Sequence, residues 1–291
     1  SLKRIFFIKT TYLYPAIILQ NSNLRSFMFQ RLLKTTLILT LLSSLSLFAK
    51  DVSAYFTSKY RDEASLTKLL NSADFEVLGS YKLDRRGNFT TIVFTSKELQ
   101  ALSQKKNREF FAIGRAIINS KSNEVRISNP CYFGMAFLQD DFAKTEVQAI
   151  TKKLKNLFGD LTATTETVED DDLGSYRFSF GMPYYEDMVV VAKGKDLVSK
   201  VKDPIFSVSL PNGSTIIGVE LERKTKKFPK KIGIENGLLL PYAVLIEGEE
   251  AKILDPRYYL AVSYPNLSMG DFMKIASIPD AINKDIENQF K

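Results

Sequence analysis

One order of elements is written twice in this chain: β-α-β-β, two or more further strands, and a closing helix. Such an order restricts the fold to an α+β architecture of two similar lobes, each a sheet backed by helices. In the first copy, β-branched runs and turn residues predict strands at Tyr55–Tyr60, Phe75–Leu83 and Phe89–Phe94. A helix is expected over Glu63–Asn71 and a turn at Arg86-Gly87-Asn88. Thr95-Ser-Lys-Glu98 has the spacing of a capping box and opens a second helix. Strands at Phe110–Ile118 and Glu124–Ser128 lead into a helix over Phe142–Phe158, with Val147, Ile150, Leu154, Leu157 and Phe158 on one face.

Residues 159–175 then lose apolar periodicity and gather Glu166, Glu169, Asp170, Asp171 and Asp172. They lack the glycine and alternating ligands of a calcium loop, so they read as a solvated acidic linker between lobes 50–158 and 176–291. In the second copy, strands are expected at Asp187–Ala192 and Ile205–Leu210, with a helix over Lys195–Val201 between them. Asn212-Gly213 is a strong hairpin signal. Further strands are expected at Thr215–Leu221, Lys231–Ile234, Pro241–Ile246 and Ala251–Ser263. Ser268 with Asp271 three residues on begins a helical tail that reaches Phe290 and is interrupted before Pro279. A local echo supports internal duplication: Ser128, Pro130 and Phe137 recur as Ser263, Pro265 and Phe272 at an offset of 135.

The chain has 291 residues, no histidine, no tryptophan and one cysteine. Imidazole catalysis, thiol pairs and Cys/His zinc sites are therefore excluded. Ser65-Leu-Thr-Lys68 and Ser199-Lys-Val-Lys202 fit a Ser-x-x-Lys spacing, but the companion elements of acyl-transfer enzymes are absent. Glu186 and Asp187 could supply carboxylate chemistry, yet neighbours on a strand point to opposite faces and cannot flank one bond. An enzyme thus ranks last, and no catalytic residue, metal or cofactor is expected.

The formal net charge of +7 belongs largely to the first 49 residues, which hold Lys3, Arg4, Lys9, Arg25, Arg31 and Lys34 and no acidic residue. The remainder is close to neutral, so no nucleic-acid footprint is expected. From Met28, a basic stretch (Arg31, Lys34), an apolar run Thr35–Phe48 and Ala49 read as a signal peptide over 28–49, with 1–27 a misassigned start. The expected location is periplasmic or secreted. Cys131, without a partner, reads as a buried apolar residue.

Six of the nine residues from Arg223 to Lys231 are basic: Arg223, Lys224, Lys226, Lys227, Lys230 and Lys231. They could meet a membrane surface or form a solvated loop that protects a sheet edge. Tyrosines cluster at Tyr184-Tyr185 and Tyr258-Tyr259, and a strand over Ala251–Ser263 would put Tyr258, Leu260, Val262 and Tyr264 on one face. Tyrosine lines ligand pockets, and it also packs sheets against helices. The candidate ligand site is Asn129, Pro130, Cys131 and Tyr132 together with Pro241, Tyr258 and Tyr264.

Glu124-Val-Arg-Ile-Ser-Asn-Pro-Cys-Tyr-Phe-Gly-Met-Ala-Phe137 resembles the strand and Asn-Pro turn that mark domain-of-unknown-function family 302. Leu239-Leu-Pro-Tyr-Ala-Val-Leu-Ile246 and the acidic turn after it are similar to that family's Leu-Pro strand. The resemblance implies a fold like that of the TATA-binding protein, a curved antiparallel sheet backed by helices, here in tandem. It carries no activity. The functional expectation is an exported, non-catalytic binding protein for a small or apolar molecule. The alternative is an envelope-associated interaction protein that meets lipid or a protein through 223–231 and its sheet edges.

Overall fold

The structure, a computed structural model, describes residues 50–291; the expected start at 1–27 and signal peptide at 28–49 lie outside the described residues, Lys50 onward. The order is β1 (Asp51–Ser53), β2 (Tyr55–Lys59), α1 (Glu63–Asn71), β3 (Glu76–Lys82), β4 (Phe89–Thr95), α2 (Lys97–Leu102), β5 (Gly114–Asn119), β6 (Glu124–Ser128), α3 (Pro130–Leu138) and α4 (Lys144–Phe158). Then come β7 (Thr162–Ala163), β8 (Thr167–Glu169), α5 (Asp170–Leu173), β9 (Val189–Lys193), α6 (Leu197–Lys200), β10 (Phe206–Ser209) and β11 (Thr215–Val219). The chain closes with α7 (Pro229–Ile232), β12 (Tyr242–Glu247), β13 (Glu250–Ile253), α8 (Pro256–Ser263), α9 (Met269–Met273) and α10 (Ile278–Asn288).

Helices and strands are thus mixed, and the three sheets among the described residues are antiparallel and open. The larger runs β3-β4-β5-β6-β2-β7, the second runs β10-β11-β12-β13-β9, and β1 pairs with β8. In each large sheet, the strand that precedes the helix is inserted beside the last strand of a four-strand meander. Central strands β4 and β5 are buried along their whole length, as strands covered on both faces are. β10 alternates buried Phe206 and Val208 with exposed Ser207 and Ser209, the mark of one solvated face. The sheets approach where β3 and β10 lie side by side; a Cβ at Gly79 would stand 2.5 Å from the Ile205 carbonyl oxygen, so only glycine fits. One apolar core runs through both sheets and their helices.

Several expectations are corrected here. The strand expected over Ala251–Ser263 ends at Ile253, and α8 follows. Pro256 cannot donate to a ladder and is preset for the first helical turn, while the Asp255 carboxylate accepts from the Arg257 amide at 2.8 Å. Tyr258 and Tyr264 therefore lie along a helix and at its C-cap instead of on one strand face. Asn129-Pro130 is likewise the start of a helix, α3, instead of a turn: the Asn129 side chain accepts from the Cys131 amide at 3.0 Å. Lys231–Ile234 is α7 leading into a 3-10 turn, because Pro229 opens a helix there.

The N-cap of α2 is Ser96, which accepts from the Leu99 amide at 3.3 Å; Thr95 instead donates to the Ala112 carbonyl, and Glu98 pairs with Lys153. Residues 159–175 are tied into the fold by β7 against β2, β8 against β1, and an Arg126–Glu166 ion pair of 2.8 Å. The echo at an offset of 135 joins unlike places, the end of strand β6 and the end of helix α8. A second match, at an offset of 126, joins like places: it carries Glu124, Ile127, Pro130 and Tyr132 onto Glu250, Ile253, Pro256 and Tyr258. It also sets Asn129 on Asp255, the two side chains that cap α3 and α8.

Candidate functional site

Two places concentrate chemistry: the junction of α3 with α8, and a basic groove. At the junction, Tyr132 on α3 donates to the Val262 carbonyl of α8 at 3.0 Å, and Tyr258 on α8 donates to the Ala136 carbonyl of α3 at 3.1 Å. The exchange is reciprocal, since the same offset of 126 relates donor to donor and acceptor to acceptor. Tyr55 on β2 adds a third bond, to the Ser263 carbonyl at 2.6 Å. Burial pushes the phenols of Tyr55, Tyr132 and Tyr258 well above their ordinary range, so all three remain protonated donors.

Asn129 is held by its amide, which donates to the Ser53 carbonyl at 2.7 Å. Cys131 packs against Thr151, with Sγ 3.2 Å from Oγ1. Pro241 is buried at the start of β12, and the Tyr264 hydroxyl is buried without a partner among the described residues. Of these seven positions, Pro130 alone reaches the neighbouring cavity. That cavity measures about 40 Å³ and is walled by aromatic and aliphatic side chains, among them Phe133, Phe137, Leu238 and Tyr259. One charged side chain, Arg115 of β5, stands in the same wall. Glu186 and Asp187 are engaged separately, Glu186 with Arg108 at 2.6 Å and Asp187 with the Tyr184 amide at 2.9 Å.

The groove is wider, about 830 Å³, and open to solvent. Lys82 enters it from the end of β3, Arg85 and Arg86 from the β3–β4 connection, and Lys121 from the β5–β6 turn. Arg223, Lys226, Lys227 and Lys230 complete it, with Asp84 as its one carboxylate. Lys226 is spent on Glu220; the other seven cations form no ion pair among the described residues. Segment 223–231 is ordered by burying Thr225, Phe228 and Pro229, which fixes the charges on the opposite side. Lys224 and Lys231 stand outside the groove, and Lys231 donates to the Lys274 carbonyl at 3.3 Å. Among the described residues, no group of three or more acidic or cysteine side chains is placed to hold a metal.

The sequence pointed to 223–231 but not to its partners. Arg85-Arg86 and Lys121 lie about 100 residues away or more and join it only through the fold. Arg115 was also missed, although a lone charge in the apolar run Ile113–Ile118 is a visible signal.

No family model matches this chain, and neither a curated protein nor a solved structure does. The resemblance of 124–137 and 239–246 to domain-of-unknown-function family 302 is overturned by that result. The Asn-Pro and Leu-Pro pairs that suggested it are accounted for locally, the first as the cap of α3 and the second as the entry to β12.

Proposed function

We propose that this chain is a non-catalytic interaction protein of the cell envelope that docks on anionic lipid headgroups through the basic groove. The observation that carries the reading is the convergence of seven unpaired cations, from three separate stretches, in a part of the chain that is otherwise near neutral. Each cation near a negatively charged bilayer contributes about 1 kcal/mol. Among the groove-lining residues no aromatic side chain offers a stacking platform for single-stranded nucleic acid. Export to a periplasmic or secreted location is part of the same reading and rests on the sequence of 28–49.

The small or apolar ligand is the weaker reading, because binding pockets for such molecules measure ~300 Å³ or more and the cavity beside Pro130 is about 40 Å³. We read the two large sheets and their helices as two similar lobes produced by internal duplication, in the manner of a TATA-binding-protein-like fold. The recurring strand order, the 126-residue offset and the exchanged tyrosines support that reading.

Vesicle co-sedimentation tests the docking. The chain should bind phosphatidylglycerol-containing vesicles, ignore pure phosphatidylcholine, and be released by salt. Replacing Arg85, Arg86, Arg223 and Lys230 with glutamine removes about 4 kcal/mol at the same increment, a loss near a thousandfold. Unchanged binding by that variant sinks the proposal, and capture of an acidic protein with no vesicle binding would replace it with a protein-docking surface.

A further inference from the structure

Arg115 is the charge this fold leaves unanswered. Its side chain is 5% exposed, on a strand buried at every position, and a guanidinium is not deprotonated in proteins. Nη1 donates to the Leu238 carbonyl at 2.8 Å, while Nη2 is buried with no hydrogen-bond partner. The Phe206 ring lies 6.0 Å from the guanidinium carbon, at the limit of a cation–π contact. No carboxylate pairs with it among the described residues, whereas Arg126 has Glu166 at 2.8 Å and Arg108 has both Asp141 at 3.1 Å and Glu186 at 2.6 Å. A buried charge without a counter-charge is strongly unfavourable, so a group that balances it is required.

We propose that the cavity beside Arg115 binds a small monocarboxylate anion, of the size of formate or acetate. The cavity is about 40 Å³, several times the roughly 10–15 Å³ that one water needs, and too small for a chain-length fatty acid. Its wall is apolar around one cationic corner, which suits a carboxylate with a short alkyl end: the charge meets the guanidinium of Arg115, and the methyl meets the apolar wall that includes Phe133 and Phe137. Tyr259 lines the same cavity; burial pushes its phenol above the ordinary range and the positive charge of Arg115 pulls it partly back, which places the two groups within electrostatic reach of each other. Water beside the guanidinium would leave the charge unbalanced.

The test uses the full chain and acetate itself. Against sodium chloride of equal ionic strength, acetate should raise the midpoint of thermal unfolding by about 5 °C at a hundredfold excess over its dissociation constant. Arg115→Met should abolish that increment. A crystal structure grown in acetate should show a planar carboxylate with its methyl in the cavity beside the Arg115 guanidinium, and this measurement stands even where the variant fails to fold. An acetate-specific rise that survives in Arg115→Met, no rise in the wild type, or water alone in the cavity beside the Arg115 guanidinium would overturn the assignment.

Discussion

Glu109 is the acidic counterpart of Arg115: fully buried, with Oε1 accepting from the Asn212 amide at 3.1 Å and Oε2 without a partner. Burial raises its pKa, so the folded state binds its proton more tightly than the unfolded chain does. The contribution to stability therefore falls as pH rises from the ordinary carboxylate range through the raised folded value. Glu109→Gln keeps the acceptor for Asn212 and removes the charge. It should be more stable than the parent at neutral pH, by about 1–2 kcal/mol, with the gap closing in acid; urea unfolding at pH 4 and pH 7 measures both. Neither burial was legible in the sequence. Glu109 precedes Phe110-Phe111 and Arg115 interrupts an apolar run, yet whether such charges face solvent depends on what the other sheet and the turn at Ile234–Leu239 lay over them.

The pairing of α3 with α8 shows what local pattern can and cannot resolve. Hairpins at Arg86-Gly87-Asn88 and Asn212-Gly213 and the amphipathic stripe of α4 were readable, because their signals are short-range. α8 was misread because Tyr and Val favour strands when half buried; here seven of its eight residues are buried and Arg257 alone is exposed, so burial decides instead. α3 was missed for a similar reason: six of its nine residues are buried, and its apolar residues run almost all round the helix. The exchanged tyrosines are testable at this scale. Tyr132→Phe and Tyr258→Phe each leave a buried carbonyl that has lost one donor, and each should cost about 1 kcal/mol of stability. Because the two bonds join the same pair of helices, a double-mutant cycle should show coupling rather than simple addition.

At the level of the whole molecule, the repeated order of elements was visible in the sequence, but its true register was not. Ser, Pro and Phe matched at 135 residues without sharing a structural place, whereas Pro130/Pro256 and Tyr132/Tyr258, which stand at like places in α3 and α8, are spaced at 126. The expected linker at 159–175 is pinned by strand pairing, and among the described residues the most exposed large apolar side chain is instead Phe180, in the irregular stretch before β9. Limited chymotrypsin digestion should cut after Phe180 and spare 159–175. The two fragments should still elute together from a sizing column and part only in denaturant. The exchanged tyrosines give the reason: each half keeps a donor in the other's helix and an acceptor for the other's donor. Damage to either half is then felt in both, so heat or urea should take the two apart in one cooperative step, with neither outliving the other.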